Sequence, residues 1–197
     1  MTAINLFKTK DAAILLTDQA WMSVGCLGMV GSKVASEPKL SMAVAVNGAV
    51  SPHTIIIVRG WLSVRQTQAE AMGRIGELLQ LVRDEAERTG QHAEPKPSPA
   101  KLFIALWHPD NGPECYLIDT AITSVRHCDS PPSKLPFPAP DDRSALIARI
   151  EDQRRQKCEE GYHNIGAAAE LTMVTATGIK SDIIHRWPDR IGEPITP

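Results

Sequence analysis

The stretch Ala12-Ala13-Ile14-Leu15-Leu16-Thr17 runs without a charge and without alternation of apolar and polar positions. A half-buried strand alternates and an amphipathic helix repeats every three to four residues, so a short unbroken run beside turn residues fits a strand covered on both faces. Thr9-Lys10-Asp11 in front of it has turn chemistry, and further upstream Ile4 and Leu6 alternate with Asn5. The chain is therefore predicted to open with two paired strands, the second buried on both sides. With 197 residues, 43% of them hydrophobic, one shared core in a single domain spanning 1–197 is the simplest organisation.

Further elements follow from local pattern. Residues 19–37 are rich in glycine and serine and carry no clear element, whereas Leu40–Val46 restores a strand that stops at Asn47-Gly48. Ser51-Pro52 supplies an N-cap and a first-turn proline for a helix over 52–63, against the β-branched preference of Ile55-Ile56-Ile57-Val58. From Gln66 to Arg88, Met72, Ile75, Leu79, Val82 and Ala86 recur at helical spacing and predict one amphipathic helix. A proline-broken connector at 91–100 precedes strands at Lys101–Trp107 and Glu114–Asp119, joined by a loop over 108–113, and Ile122–Arg126 adds a further strand. A proline-rich loop at 129–141 leads to a helix running to about residue 158, capped by Asp141 or Asp142. Ala169–Thr175 and Ile179–Trp187 then form a hairpin around Thr177-Gly178, with residues 188–197 as a loop tail. Strand neighbours joined by hairpins predict an α+β fold of antiparallel sheets with helices outside, not a parallel βαβ fold.

Charge removes several functions. Lys and Arg total 21 against 23 Asp and Glu, a net charge of -2, so no basic field favours nucleic acid or an anionic membrane surface. No apolar run approaches the ~20 residues that cross a bilayer, and Asn5, Lys8, Lys10 and Asp11 interrupt any signal core, so the expected location is the cytoplasm. The cysteines at 26, 115, 128 and 158 lie far apart, which favours reduced thiols over disulfides or a zinc site. The histidines likewise lack ligand spacing, so neither a metal nor another cofactor is expected.

The sequence contains no G-x-S-x-G elbow, phosphate-binding loop, H-E-x-x-H or G-x-G-x-x-G. What remains is at the amino end. Thr2 follows Met1, and methionine is trimmed when the next residue is this small. An N-terminal threonine carries its own base, because its α-amine can accept the hydroxyl proton. A nearby lysine would keep that amine neutral and an aspartate would hold the lysine.

At these residues the sequence resembles the proteasome β-subunit family of N-terminal nucleophile hydrolases and its bacterial relative, the proteolytic subunit of a two-component ATP-dependent protease. "TAINLFKTKDAAILLTD" is similar to the family's opening hairpin, "GSKV" to its lysine strand and "MAVAVNG" to the strand before its oxyanion turn. The resemblance implies Thr2 as nucleophile, Asp18 and Lys33 as the residues that tune its amine, and Gly48 as an oxyanion donor. It further implies a four-layer αββα sandwich, a peptide or amide substrate, no cofactor and a homo-oligomer. An ATP-dependent unfoldase partner belongs to the relative and has no signal of its own in these residues.

Differences from the family accompany the likeness. One helix is predicted over 141–158 where relatives carry two, Asp18 is followed by Gln19-Ala20-Trp21 instead of an arginine-containing stretch, and for the family's serine–glycine pair only Ser130 offers a counterpart. A non-catalytic protein that kept the sandwich for assembly is the competing reading, and a ligand-binding module in the sheet cleft is a third. Arg154-Arg155-Gln156-Lys157 reads as a solvated helix face, and Trp187 as packing on the adjacent sheet.

Overall fold

A computed structural model describes residues 3–23, 25–48, 51–88, 100–119, 124–127, 138–158 and 160–197. Its strands are β1 (Ile4–Lys8), β2 (Ala13–Asp18), β3 (Ala20–Ser23), β4 (Cys26–Val30), β5 (Val34–Glu37), β6 (Met42–Asn47), β7 (Lys101–His108), β8 (Gly112–Asp119), β9 (Ser124–His127), β10 (Ala168–Thr175) and β11 (Gly178–Arg186). The helices are α1 (Pro52–Ser63), α2 (Gln68–Gly73), α3 (Ile75–Arg88) and α4 (Arg143–Arg154). The fold is mixed α+β with antiparallel sheets. One sheet has the order β1-β2-β10-β11, a second β5-β6-β7-β8-β9, and β3 pairs with β4.

β2 is buried at every position and lies between β1 and β10, as its unbroken apolar run predicts. The period of two then divides its side chains. Ala13 and Leu15 join Leu6, Val174, Val34, Ala43, Ala45, Ala105 and Cys115 in a core built from both large sheets. Ile14 and Leu16 join Phe7, Leu171, Leu146 and Ile150 in a core against α4. On the other side of the second sheet, Val44, Val46, Leu102 and Ile104 pack against Ile55, Val58, Leu62, Leu78 and Val82 of α1 and α3.

Helix α1 has the predicted bounds. The Ser51 N–H donates to Thr54 Oγ1 at 3.2 Å and Pro52 opens the first turn. Ile55, Val58, Trp61 and Leu62 are buried whereas Ile56 is 65% exposed, so the apolar run is only partly a core feature. Several expectations need correction. The helix predicted over 66–88 is two, because Arg74 leaves helical geometry and its N–H bonds Glu70 and Ala71. The 19–37 segment holds three strands, and a 3-10 turn, Pro38–Leu40, follows it. Helix α4 ends at Arg154, with Asp142 capping the Ala145 N–H.

The tail is tied down rather than loose. Gly192 N–H donates to Leu27 O, Leu27 N–H donates to Glu193 O, and Cys26 bridges Pro194. Arg154, expected on a solvated face, is 2% exposed and forms a two-pronged pair with Asp189 at 2.6 Å for each arm. It also donates to Ile165 O and Thr196 O, and lies 5.0 Å from the Trp187 ring centroid. Gly166 is caught in this cluster: a β-carbon there would collide with Arg154 Nη1 and Asp189 Oδ2.

Candidate functional site

Asp18 is the last residue of β2, where a central strand reaches the end of its sheet. It is fully buried, and its oxygens meet hydrogen-bond donors among the described residues. Lys33 Nζ lies 2.8 Å from Oδ1 and 2.9 Å from Oδ2. Ala3 N–H donates to Oδ1 and Ala20 N–H to Oδ2, each at 3.0 Å, and Gly166 N–H lies 3.4 Å from Oδ2. Lys33 is 2% exposed, just before β5, and its Nζ is 5.6 Å from the Trp21 ring centroid. Burial lowers the Lys33 pKa from 10.5, and the charge and hydrogen bonds of Asp18 oppose that drop. Lys33 is thus held in one geometry inside the fold, not displayed as a surface charge.

The structure thus brings Asp18 and Lys33 together. Thr2 and Ser130 lie outside the described residues. Ala3, the residue after Thr2, is tied to Asp18 twice: its N–H donates to the carboxylate and its carbonyl accepts the Asp18 N–H at 3.2 Å. Gly48 follows β6, whose Ala45 pairs with Val34 of β5, so Lys33 and Gly48 leave the same end of that sheet. Gly48 has φ 125°, a region that favours glycine, and its N–H is engaged by Asn47 Oδ1 at 2.7 Å.

A second polar group adjoins the pair. Glu170, across from Thr17 in the β10–β2 register, accepts from Gln19 Nε2 at 2.9 Å and from Ser32 Oγ at 3.0 Å. Sequence reasoning passed over Glu170, Gln19 and Ser32. Their one signal was an acid inside the otherwise uncharged strand Ala-Ala-Glu-Leu-Thr-Met-Val. Among the described residues no group of three His, Cys, Asp or Glu could hold a metal ion, and no helix is long and apolar enough to cross a membrane.

No protein-family model matches this sequence, and no curated protein matches it.

Proposed function

We propose that this protein is a proteasome-like N-terminal threonine hydrolase that cleaves a peptide or amide bond with a processed Thr2. The observation that carries the reading is the buried Asp18–Lys33 pair, with Asp18 hydrogen-bonded to the backbone next to Thr2. A structural role alone gives a weak account of such a pair, because removing two charges from water costs about as much as their attraction returns. The order of the three cores, helices against one sheet, sheet against sheet, and sheet against α4, supports the αββα layering of this class.

In the proposed reaction, loss of Met1 frees the Thr2 amine. Thr2 Oγ attacks the carbonyl carbon while its proton passes to that amine. The C–N bond breaks, the ammonium returns the proton to the departing amine, and an ester remains on Thr2. Water, deprotonated by the same amine, hydrolyses the ester. A protonated Lys33 disfavours a second positive charge on the amine and so keeps it basic, Asp18 holds Lys33 in place, and Gly48 N–H receives the oxyanion. The protein acts as a cytoplasmic homo-oligomer in this reading, with exposed Ile56 of α1 and Val64 beyond it as the contact toward a second copy.

Hydrolysis of a panel of peptide amides by the wild type and by Thr2→Ala tests the reading. Turnover that Thr2→Ala abolishes supports it. Equal rates in both proteins, or none in a wild type whose Met1 has been removed, leave the assembly reading in its place.

A further inference from the structure

We propose that Glu170 is a positioning residue that aligns the Asp18–Lys33 pair by clamping the two chain segments that carry it. Gln19 directly follows Asp18 and Ser32 directly precedes Lys33, and Glu170 holds one with each carboxylate oxygen. Glu170 sits on β10, a central strand bonded to both β2 and β11, so it is a fixed reference for two linkers outside the large sheets. The linkers are also joined directly, since Gly31 N–H donates to Gln19 O at 3.1 Å, and Gln19 is tied again to β10, its N–H donating to Ala168 O at 2.9 Å. Ser32 Oγ lies 3.0 Å from Glu170 and 3.3 Å from Val34 O; its single proton goes to the shorter, carboxylate partner, which leaves the oxygen to accept Val34 N–H at 3.1 Å. Glu170 is 6% exposed, and both of these partners are uncharged. A carboxylate buried on neutral donors is costly for folding alone, so its placement beside both halves of the ion pair calls for a reason.

That reason is geometric control of Lys33. Its ammonium reaches both Asp18 oxygens only if the 31–33 segment keeps its distance from the end of β2, and the Glu170 clamp sets that distance. Among the described residues, Asp18 from β2 and the Trp21 ring from β3 face Lys33, while Glu170 holds the adjacent Ser32 and the Arg154–Asp189 pair closes around Gly166. As part of a hydrolytic site the role rests on the reading above, whereas the effect on the ion pair does not.

The test compares Glu170→Ala, which removes both hydrogen bonds, with Glu170→Gln, whose amide can accept from Gln19 and donate to Ser32. The Lys33 ε-carbon and ammonium resonances are followed by NMR, together with Thr2-dependent hydrolysis. Glu170→Ala is expected to shift the Lys33 resonances and lower kcat about 10–100-fold with KM little changed, with Glu170→Gln restoring both to near wild type. Should Glu170→Ala fail to fold, Ser32→Ala and Gln19→Ala each delete one arm and are expected to give the same shift in smaller measure. Wild-type Lys33 resonances in a folded Glu170→Ala, or in both single-arm variants, overturn the inference. An absence of hydrolysis with the Lys33 shift present refutes the hydrolase reading and leaves the clamp standing.

Discussion

Lys33 Nζ lies within 2.9 Å of both Asp18 oxygens, in a position where neither side chain is more than 2% exposed. Removing one partner leaves a buried unpaired charge, while neutralising both leaves no uncompensated charge. Lys33→Met alone and Asp18→Asn alone are each expected to destabilise the fold by about 3–5 kcal/mol, and the double variant by clearly less than their sum. A double-mutant cycle in urea checks this; additive losses would mean the two charges do not interact.

The same pair sets a pH dependence. Burial pulls the Lys33 pKa below 10.5, so between its lowered value and 10.5 the unfolded chain binds a proton that the folded one has released. Stability contributed by this group therefore rises with pH through that window, and Lys33→Met abolishes the rise. Denaturant midpoints for both proteins between neutral and alkaline pH measure it; identical slopes would contradict the buried lysine.

Glu85 responds in the acid range. Hydrogen bonds from Arg88, and after it from His53, hold its carboxyl down to about 2. A depressed carboxylate contributes stability above its unfolded value near 4.5 that fades as pH falls toward 2. Arg88→Ala is expected to move acid unfolding to higher pH, followed by circular dichroism, whereas an unmoved transition would show the contact to be idle.

Two glycines should answer an added methyl with opposite signs. At Gly166 a β-carbon meets Arg154 Nη1 and Asp189 Oδ2, so Gly166→Ala is expected to cost about 1–3 kcal/mol by forcing that pair apart. At Gly60 in α1 nothing lies within 4 Å, and Gly60→Ala is expected to stabilise by about 0.5–1 kcal/mol through helix propensity. Thermal unfolding of both variants decides.

Asn47 is expected to restrain the reaction. Its side-chain oxygen occupies the Gly48 N–H that the proposed mechanism needs for the oxyanion. Asn47→Ala should raise kcat for Thr2-dependent hydrolysis; an unchanged or lower rate would remove Gly48 from the oxyanion site.

Much of this architecture was legible because the sequence carries strong local signals. The apolar run of β2 is short and bounded by turn residues, which favours a covered strand, and Ser51-Pro52 overrides four β-branched residues because it settles the first turn of α1. The β3–β4 hairpin escaped notice because glycine reads as loop, and β5 was signalled only by the likeness of "GSKV" to the family's lysine strand. Here Gly25, at φ 79°, makes the turn, and Gly28 lets β4 approach Ser23, where a β-carbon would stand 3.0 Å from Cβ. The break between α2 and α3 left no trace because the apolar phase of Met72, Ile75 and Leu79 continues across it. Arg154 looked solvated for a different reason: its partner Asp189 is 35 residues away, and only tertiary contact reveals the pair. The resemblance pointed to Asp18 and Lys33, which the fold pairs, whereas Glu170 showed only as an acid in an uncharged strand, because its partners Gln19 and Ser32 are distant neutral residues.

The most direct measurement of the central claim is mass spectrometry of the untagged protein after exposure to an acylating β-lactone. The account predicts a chain that begins at Thr2 and a single acyl adduct in the tryptic peptide Thr2–Lys8, lost in Thr2→Ala and reduced in Lys33→Met. Met1 retained on nearly every molecule, or an adduct carried elsewhere in the chain, would contradict it.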